Sequence, residues 1–141
     1  MAGSSSAAAR VPVGRLGDAA LLKRFATAFD LSPRPVTAGR EVLEPLYAKL
    51  PGRFPPLFEQ LVTGYTWDGE VDLGDLRLLP NPLDVSGQAG PVGSIIFAIG
   101  PDGAWVCFDL ERRRNDRDCP VVREGEEIAP SFKALMERLA G

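Results

Sequence analysis

The stretch SIIFAIGPDGAWVCFDL, residues 94–110, decides the fold of this chain, because its pattern predicts two strands joined by a tight turn. Residues 94–99 are apolar almost throughout, which is typical of a central strand covered on both faces. Residues 100–103 place proline and aspartate between two glycines, and these residue types favour a tight turn. Residues 104–110 then alternate between two faces, so the sequence predicts an antiparallel hairpin.

The residues that follow the hairpin predict one more strand and a closing helix. Residues 111–118 are highly charged and predict an exposed hairpin tip, and Pro120 marks residues 119–123 as an edge or bulged strand. Glu126 and Glu127 are predicted to lead into the last helix, where the helix dipole favours acidic residues. The helical spacing of apolar residues over 130–139 predicts a helix that faces the core.

The first part of the chain predicts a tail and three helices. Residues 1–17 are small, polar and rich in turn-formers, so we expect a disordered tail before a single domain over residues 18–141. The first helix is predicted to run from Asp18, as its N-cap, to Phe29. Apolar stripes predict two further helices over residues 42–50 and from Pro55 to Gly64, and a proline is tolerated in a first helical turn.

Between these helices and the hairpin the apolar period changes from helical to alternating. Residues 67–73 and 76–79 predict two strands, and residues 80–92 predict a surface loop. Helices followed by a meander of strands and a final helix are typical of an α+β fold, in which helices pack on a mostly antiparallel sheet.

Composition excludes several classes of function. The chain has no histidine, which excludes Ser-His-Asp and Cys-His catalysis and zinc bound by histidine. A net charge of −3 gives no reason to expect nucleic acid, because backbone binding requires a strong basic surplus. Cys107 and Cys119 are too few for a zinc ribbon, and buried inert thiols are favoured over a disulfide.

The sequence predicts a cytoplasmic protein with no membrane partner. No run of 18 apolar residues could span a bilayer, and the N-terminus lacks the apolar core of a signal peptide. No cofactor is expected.

Three carboxylates form the sharpest local feature. Asp68, Glu70 and Asp72 are spaced by two residues, so a strand would place them in one row on its outer face, with Trp67 beside them. The row could be a solvated face that discourages edge pairing, a surface that meets a basic partner, or a site for a hard cation. We predict no metal and take these four residues as the candidate partner-binding site.

Other features fit both a structural and a functional interpretation. Trp67 and Trp105 could anchor an interface or pack on a sheet face. The arginines of the charged tip could bind phosphate, but acidic residues between them favour a solvated loop. The residues themselves assign no catalytic role.

The order of motifs along residues 42–139 resembles the SUKH superfamily, which includes fungal cell-wall-synthesis regulators and many bacterial toxin-immunity proteins. The motifs share core and turn chemistry, and their order and spacing carry the resemblance. They are Leu50-Pro51, Phe54 with Leu57-Phe58, Gly64, residues 97–103, residues 105–110, Pro120-Val121, and residues 128–132 with Leu135 and Leu139. Thr63-Gly64 stands where the family has asparagine-glycine.

The resemblance implies an α+β fold and a protein-binding role, and it supplies no catalytic residue. We therefore expect a non-enzymatic domain that binds a protein partner, as an immunity protein that neutralises a cognate toxin does. A regulatory or scaffolding module without a toxin is the alternative. An enzyme that uses carboxylates alone is the third class.

Overall fold

A computed structural model describes residues 16–35, 40–83 and 94–141 of the chain. The predicted tail, apart from its last two residues, and most of the predicted loop over 80–92 lie outside these residues. The helices are α1 (Asp18–Ala28), α2 (Glu44–Tyr47), α3 (Pro56–Gly64) and α4 (Phe132–Ala140), with short 3-10 helices at Arg40–Leu43 and Leu110–Arg112. The strands are β1 (Ser32–Pro33), β2 (Tyr65–Thr66), β3 (Val71–Asp72), β4 (Arg77–Leu78), β5 (Ser94–Ile99), β6 (Trp105–Asp109), β7 (Val121–Arg123) and β8 (Glu126–Ala129).

The strands form a six-stranded antiparallel meander and a separate pair, which confirms the predicted α+β fold with a C-terminal helix. The meander has the order β3-β4-β5-β6-β7-β8, and β1 pairs with β2. The predicted hairpin is its centre, because β5 and β6 pair along their length around a bulge between Ile96 and Ala98.

The core lies between this hairpin and the helices, and aromatic rings dominate it. Phe58 of α3 contacts Phe108 of β6 with ring centroids 5.1 Å apart and Phe132 of α4 at 5.4 Å. Phe97 of β5 stacks on Phe108 at 4.1 Å. Phe54, which precedes α3, packs edge-on against Phe58 at 4.9 Å.

The predicted third strand is present as β7 and is bulged, not an edge strand, but the prediction that the last helix follows it directly was wrong. β7 lies inside the sheet, because a fourth strand, β8, covers it. The turn between them consists of Glu124 and Gly125, which both have positive φ angles of 52° and 81° and so match a two-residue hairpin. Glu126 and Glu127 therefore lie on an edge strand and not at the helix N-terminus. A bulge does occur in β7, between Val121 and Val122.

Two helix starts also differ from the prediction. Gly17 is the N-cap of α1, and Asp18 is its first helical residue, where it makes an ion pair with Lys133 of α4 at 3.2 Å. Over residues 42–50 the structure has a 3-10 turn and a single α-helical turn, with Pro45 near the start of α2. Proline fits there because the N–H groups of the first helical residues have no intrahelical acceptor, so the missing N–H of proline costs no hydrogen bond.

Candidate functional site

A groove of about 550 Å³ lies on the face of the sheet that points away from the helices, and we call it the sheet groove. Its lining combines an aromatic ring, small apolar side chains and carboxylates. These residues are Ser94, Trp105, Cys107, Asp109, Val122 and Glu124, with Glu111 at its edge.

The alternation of β6 produces this groove. Val106 and Phe108 point into the core and are fully buried. Trp105, Cys107 and Asp109 occupy the intervening positions and line the groove, because successive side chains of a strand point to opposite faces. The sequence predicted both sets correctly, but it did not indicate that the outer set forms a groove.

Trp105 is the distinctive residue of the sheet groove. Its side chain is 54% exposed, and only Val42, at 41%, is another exposed large hydrophobic residue in the described part of the chain. A solvent-exposed indole loses favourable burial, so such a residue is more typical of a surface that is covered by a partner. Of the two tryptophans, Trp105 is the exposed one.

The carboxylates of the groove fall into two kinds. Asp109 accepts a hydrogen bond from Arg112 at 2.7 Å, and Arg112 also lies 3.4 Å from Glu127. The hydrogen bond to Asp109 raises the pKa of Arg112, so this group stays charged. Glu111 and Glu124 border the groove and are exposed, and across the described residues neither takes part in an ion pair.

The two cysteines are buried free thiols, in agreement with the prediction. Burial raises the pKa of the Cys107 thiol, and burial also raises that of Cys119, to about 11. Both groups are therefore neutral near pH 7, and the neutral thiol is a poor nucleophile. Although Cys107 lines the sheet groove, its role there is that of a small apolar surface.

The predicted acidic row does not form on one strand. Asp68, Glu70 and Asp72 are all exposed, but β3 contains only Asp72 of the three. Gly69 has a φ of +58°, which interrupts extended backbone between Asp68 and Glu70. We refer to these three residues as the acidic segment.

Two members of the acidic segment have local partners. Glu70 makes an ion pair with Arg77 at 3.1 Å. Asp72 accepts a hydrogen bond from the backbone N–H of Gly74 at 2.8 Å, which closes a turn. Within residues 16–35, 40–83 and 94–141, no cluster of acidic or thiol side chains has the arrangement of a metal site.

Trp67 lies in the core and must be removed from the predicted surface site. Its side chain is 8% exposed, and its indole N–H donates a hydrogen bond to the carbonyl of Leu79 at 3.0 Å. The physical reason is that a buried indole requires an acceptor, which the chain supplies at the end of β4. The structure therefore agrees with the other interpretation of Trp67, as a residue packed in the sheet region.

Three of the four arginines of the charged tip, Arg112, Arg113 and Arg114, make side-chain contacts within the protein. Arg114 pairs with Asp116 at 3.7 Å, and Arg113 donates hydrogen bonds to the carbonyls of Arg117 and Arg53. These contacts agree with a structural tip in which charges of both signs are interspersed.

Asp118, at the end of the tip, is a residue whose role the sequence did not indicate. It is 6% exposed, and its carboxylate accepts hydrogen bonds from the backbone N–H groups of Cys119, Phe132 and Lys133. Two of these N–H groups begin α4, so Asp118 holds the helix N-terminus against the sheet. Asp118 lies 14 residues before Phe132 in the sequence, and no local sequence pattern indicates that the two residues are in contact.

Comparison with known proteins identifies no relative: no family model, no curated protein and no solved structure matches this chain. In the described part of the structure, no helix is long and apolar enough to cross a membrane.

Proposed function

We propose that this chain is a non-enzymatic, cytoplasmic protein-binding domain, and that it acts as an immunity protein that neutralises a cognate toxin. The observation that carries the binding role is the exposed indole of Trp105 in the sheet groove, at 54% exposure. Tryptophan is the residue most enriched among those that dominate binding energy at protein interfaces. The immunity role rests on the resemblance to the SUKH superfamily.

The groove suits a protein partner in its chemistry. Its apolar lining consists of the exposed Trp105, the half-buried Val122 and the buried Cys107. Its acidic lining consists of Asp109, Glu111 and Glu124. An apolar centre with a polar rim is the usual arrangement of a protein interface.

The binding role can be tested by capture of partners from the source cell. We expect the tagged wild-type chain to retain a specific protein that Trp105→Ala does not retain, because truncating an interface tryptophan costs about 2 kcal/mol or more of binding. Val42→Ala is the matched control, since Val42 is the other exposed large hydrophobic residue and lies in the 3-10 turn before α2. The melting temperatures of both variants should lie within a few degrees of that of the wild type.

The acidic segment is a second surface for the same function. It is exposed, and Asp68 has no ion pair in the described residues. Asp68→Lys/Glu70→Lys in the same capture experiment separates the two surfaces. Loss of the partner from this variant together with retention by Trp105→Ala would move the binding site from the sheet groove to the acidic segment.

The toxin role requires a further result. The captured protein should stop growth when it is expressed alone and should be harmless when it is co-expressed with this chain. A gene for it beside the gene of this chain is also expected. A captured protein that is harmless by itself would instead support a regulatory or scaffolding module.

A further inference from the structure

The charges at the sheet groove indicate which kind of partner segment it binds. We propose that the groove binds an extended segment of the partner protein that carries two lysine or arginine residues four positions apart, with an apolar residue midway between them. This inference rests on the proposed binding role of the groove and specifies the chemistry of its occupant.

The first step concerns the position of the two unpaired carboxylates. Val106 of β6 lies opposite Arg123 of β7, so Trp105 and Glu124, the next residue on each chain, meet at one end of the groove. Asp109 ends β6, and Glu111 follows it at the other end. The groove therefore has one unpaired carboxylate near each end.

The second step is the distance between these ends. Trp105 and Asp109 are four residues apart on one strand, which corresponds to about 13 Å at the usual rise per residue. An extended segment that lies along β6 would cover the same distance with residues i and i+4, and these side chains point to the same face. Residue i+2 also points that way and would meet the half-buried Val122, since Cys107 is buried.

The third step is the choice of a cation. Asp109 is already paired with Arg112, so a partner cation would be attracted mainly by Glu111 and Glu124. At the Trp105 end, an ammonium or guanidinium group can contact the indole face as well as the carboxylate of Glu124. The chain itself has a net charge of −3, which adds a weak attraction for a basic partner.

The experiment uses the full chain and a blocked peptide of sequence Lys-Ser-Leu-Ser-Lys. The readout is the indole N–H resonance of Trp105 by NMR at low ionic strength, assigned with Trp105→Phe. We expect a saturable shift of this resonance and no comparable shift of the buried Trp67 indole, which donates to Leu79 and serves as an internal reference. The peptide Glu-Ser-Leu-Ser-Glu should cause no saturable shift.

Two charge variants test the assignment to the groove. Glu111→Gln/Glu124→Gln should weaken binding of the lysine peptide about fivefold or more, because two exposed charge pairs are lost. Asp68→Asn/Glu70→Gln removes the same number of charges from the acidic segment and should leave the affinity unchanged. Equal weakening by the two variants would show attraction by net charge alone and would overturn the inference.

The remaining outcomes separate this inference from the proposed function. If the lysine peptide causes no saturable shift, or if the glutamate peptide binds as well, the inference is wrong. If Trp105→Ala still loses the cellular partner in that case, the binding role of the groove stands with an occupant of other chemistry. If Trp105→Ala retains the partner, the binding role of the groove fails as well.

Discussion

The centre and one edge of the six-stranded sheet are built in different ways, although the sequence predicts strands in both regions. At the β5–β6 hairpin, strands of six and five residues pair over most of their length and bury Phe97 and Phe108. At the β3–β4 end each strand has two residues. Alternation alone therefore does not determine how long a strand becomes.

Glycine and turn residues explain much of this difference. Gly69 and Gly74 flank β3 and have φ angles of +58° and +97°, which are outside extended backbone. Asp72 then bonds to the backbone of Gly74 instead of standing in a row of carboxylates. In the hairpin, by contrast, the glycine with positive φ is Gly103, which lies in the turn and leaves both strands continuous.

The largest expected effect tests whether the core beneath the central β5–β6 hairpin carries the stability of the domain. Phe58 is 2% exposed and packs against rings from β5, β6 and α4. Phe58→Ala should lower the free energy of unfolding by about 3–5 kcal/mol, because it removes buried apolar surface and leaves a cavity. Urea denaturation measures the change.

Val71→Ala is the matched change at the β3–β4 edge. Val71 is half-buried in β3, so its truncation should cost about 1 kcal/mol. If the two variants lose equal stability, the central hairpin and the β3–β4 edge contribute equally and the contrast between them is wrong.

An intermediate effect is expected at Asp118, which joins the charged tip to α4. Asp118→Ala removes the acceptor of three backbone N–H groups at a buried position. The free energy of unfolding should fall by about 2–3 kcal/mol, since buried donors are left without an acceptor. Thermal and urea denaturation of the full chain provide the measurement.

The control for this prediction is Asp75→Ala, in the turn between β3 and β4. Asp75 is exposed, and its loss should change stability by no more than about 0.5 kcal/mol. A loss at Asp118 as small as that at Asp75 would mean that solvent replaces the carboxylate as acceptor.

The sequence predicted the parts of the fold that depend on local patterns. The period of residues 94–110 identified β5 and β6 and the faces of Phe108 and Trp105. The period of the last residues identified α4. Such patterns can be recognised within a short stretch of sequence, because the apolar side chains of one helix or strand recur at the period of that element.

Long-range contacts could not be predicted in this way. Asn81 is fully buried, and its amide donates to the carbonyls of Val62 and Tyr65. Nothing within a few residues of Asn81 indicates these partners. Glu124 joins the sheet groove only because β7 turns into β8, and a Glu-Gly dipeptide is a weaker hairpin signal than Asn-Gly or Asp-Gly.

The smallest effect is expected at the ion pair between Glu70 and Arg77 in the β3–β4 region. Both side chains are well exposed, at 38% and 64%, so solvent screens their attraction. Arg77→Ala should therefore lower the free energy of unfolding by less than about 1 kcal/mol, and the loss should shrink further at high salt. Urea denaturation at low and high sodium chloride measures both quantities.

A loss at Arg77 that is larger and independent of salt would show that β4 is held by packing of the arginine stem on the sheet. Glu70→Gln distinguishes the two causes, because it removes the charge and leaves Arg77 in place. If the ion pair is responsible, the two variants lose similar stability at low salt. Such a result would confine the role of the β3–β4 edge to its exposed charges, whereas the central β5–β6 hairpin supplies the packed core beneath the sheet groove.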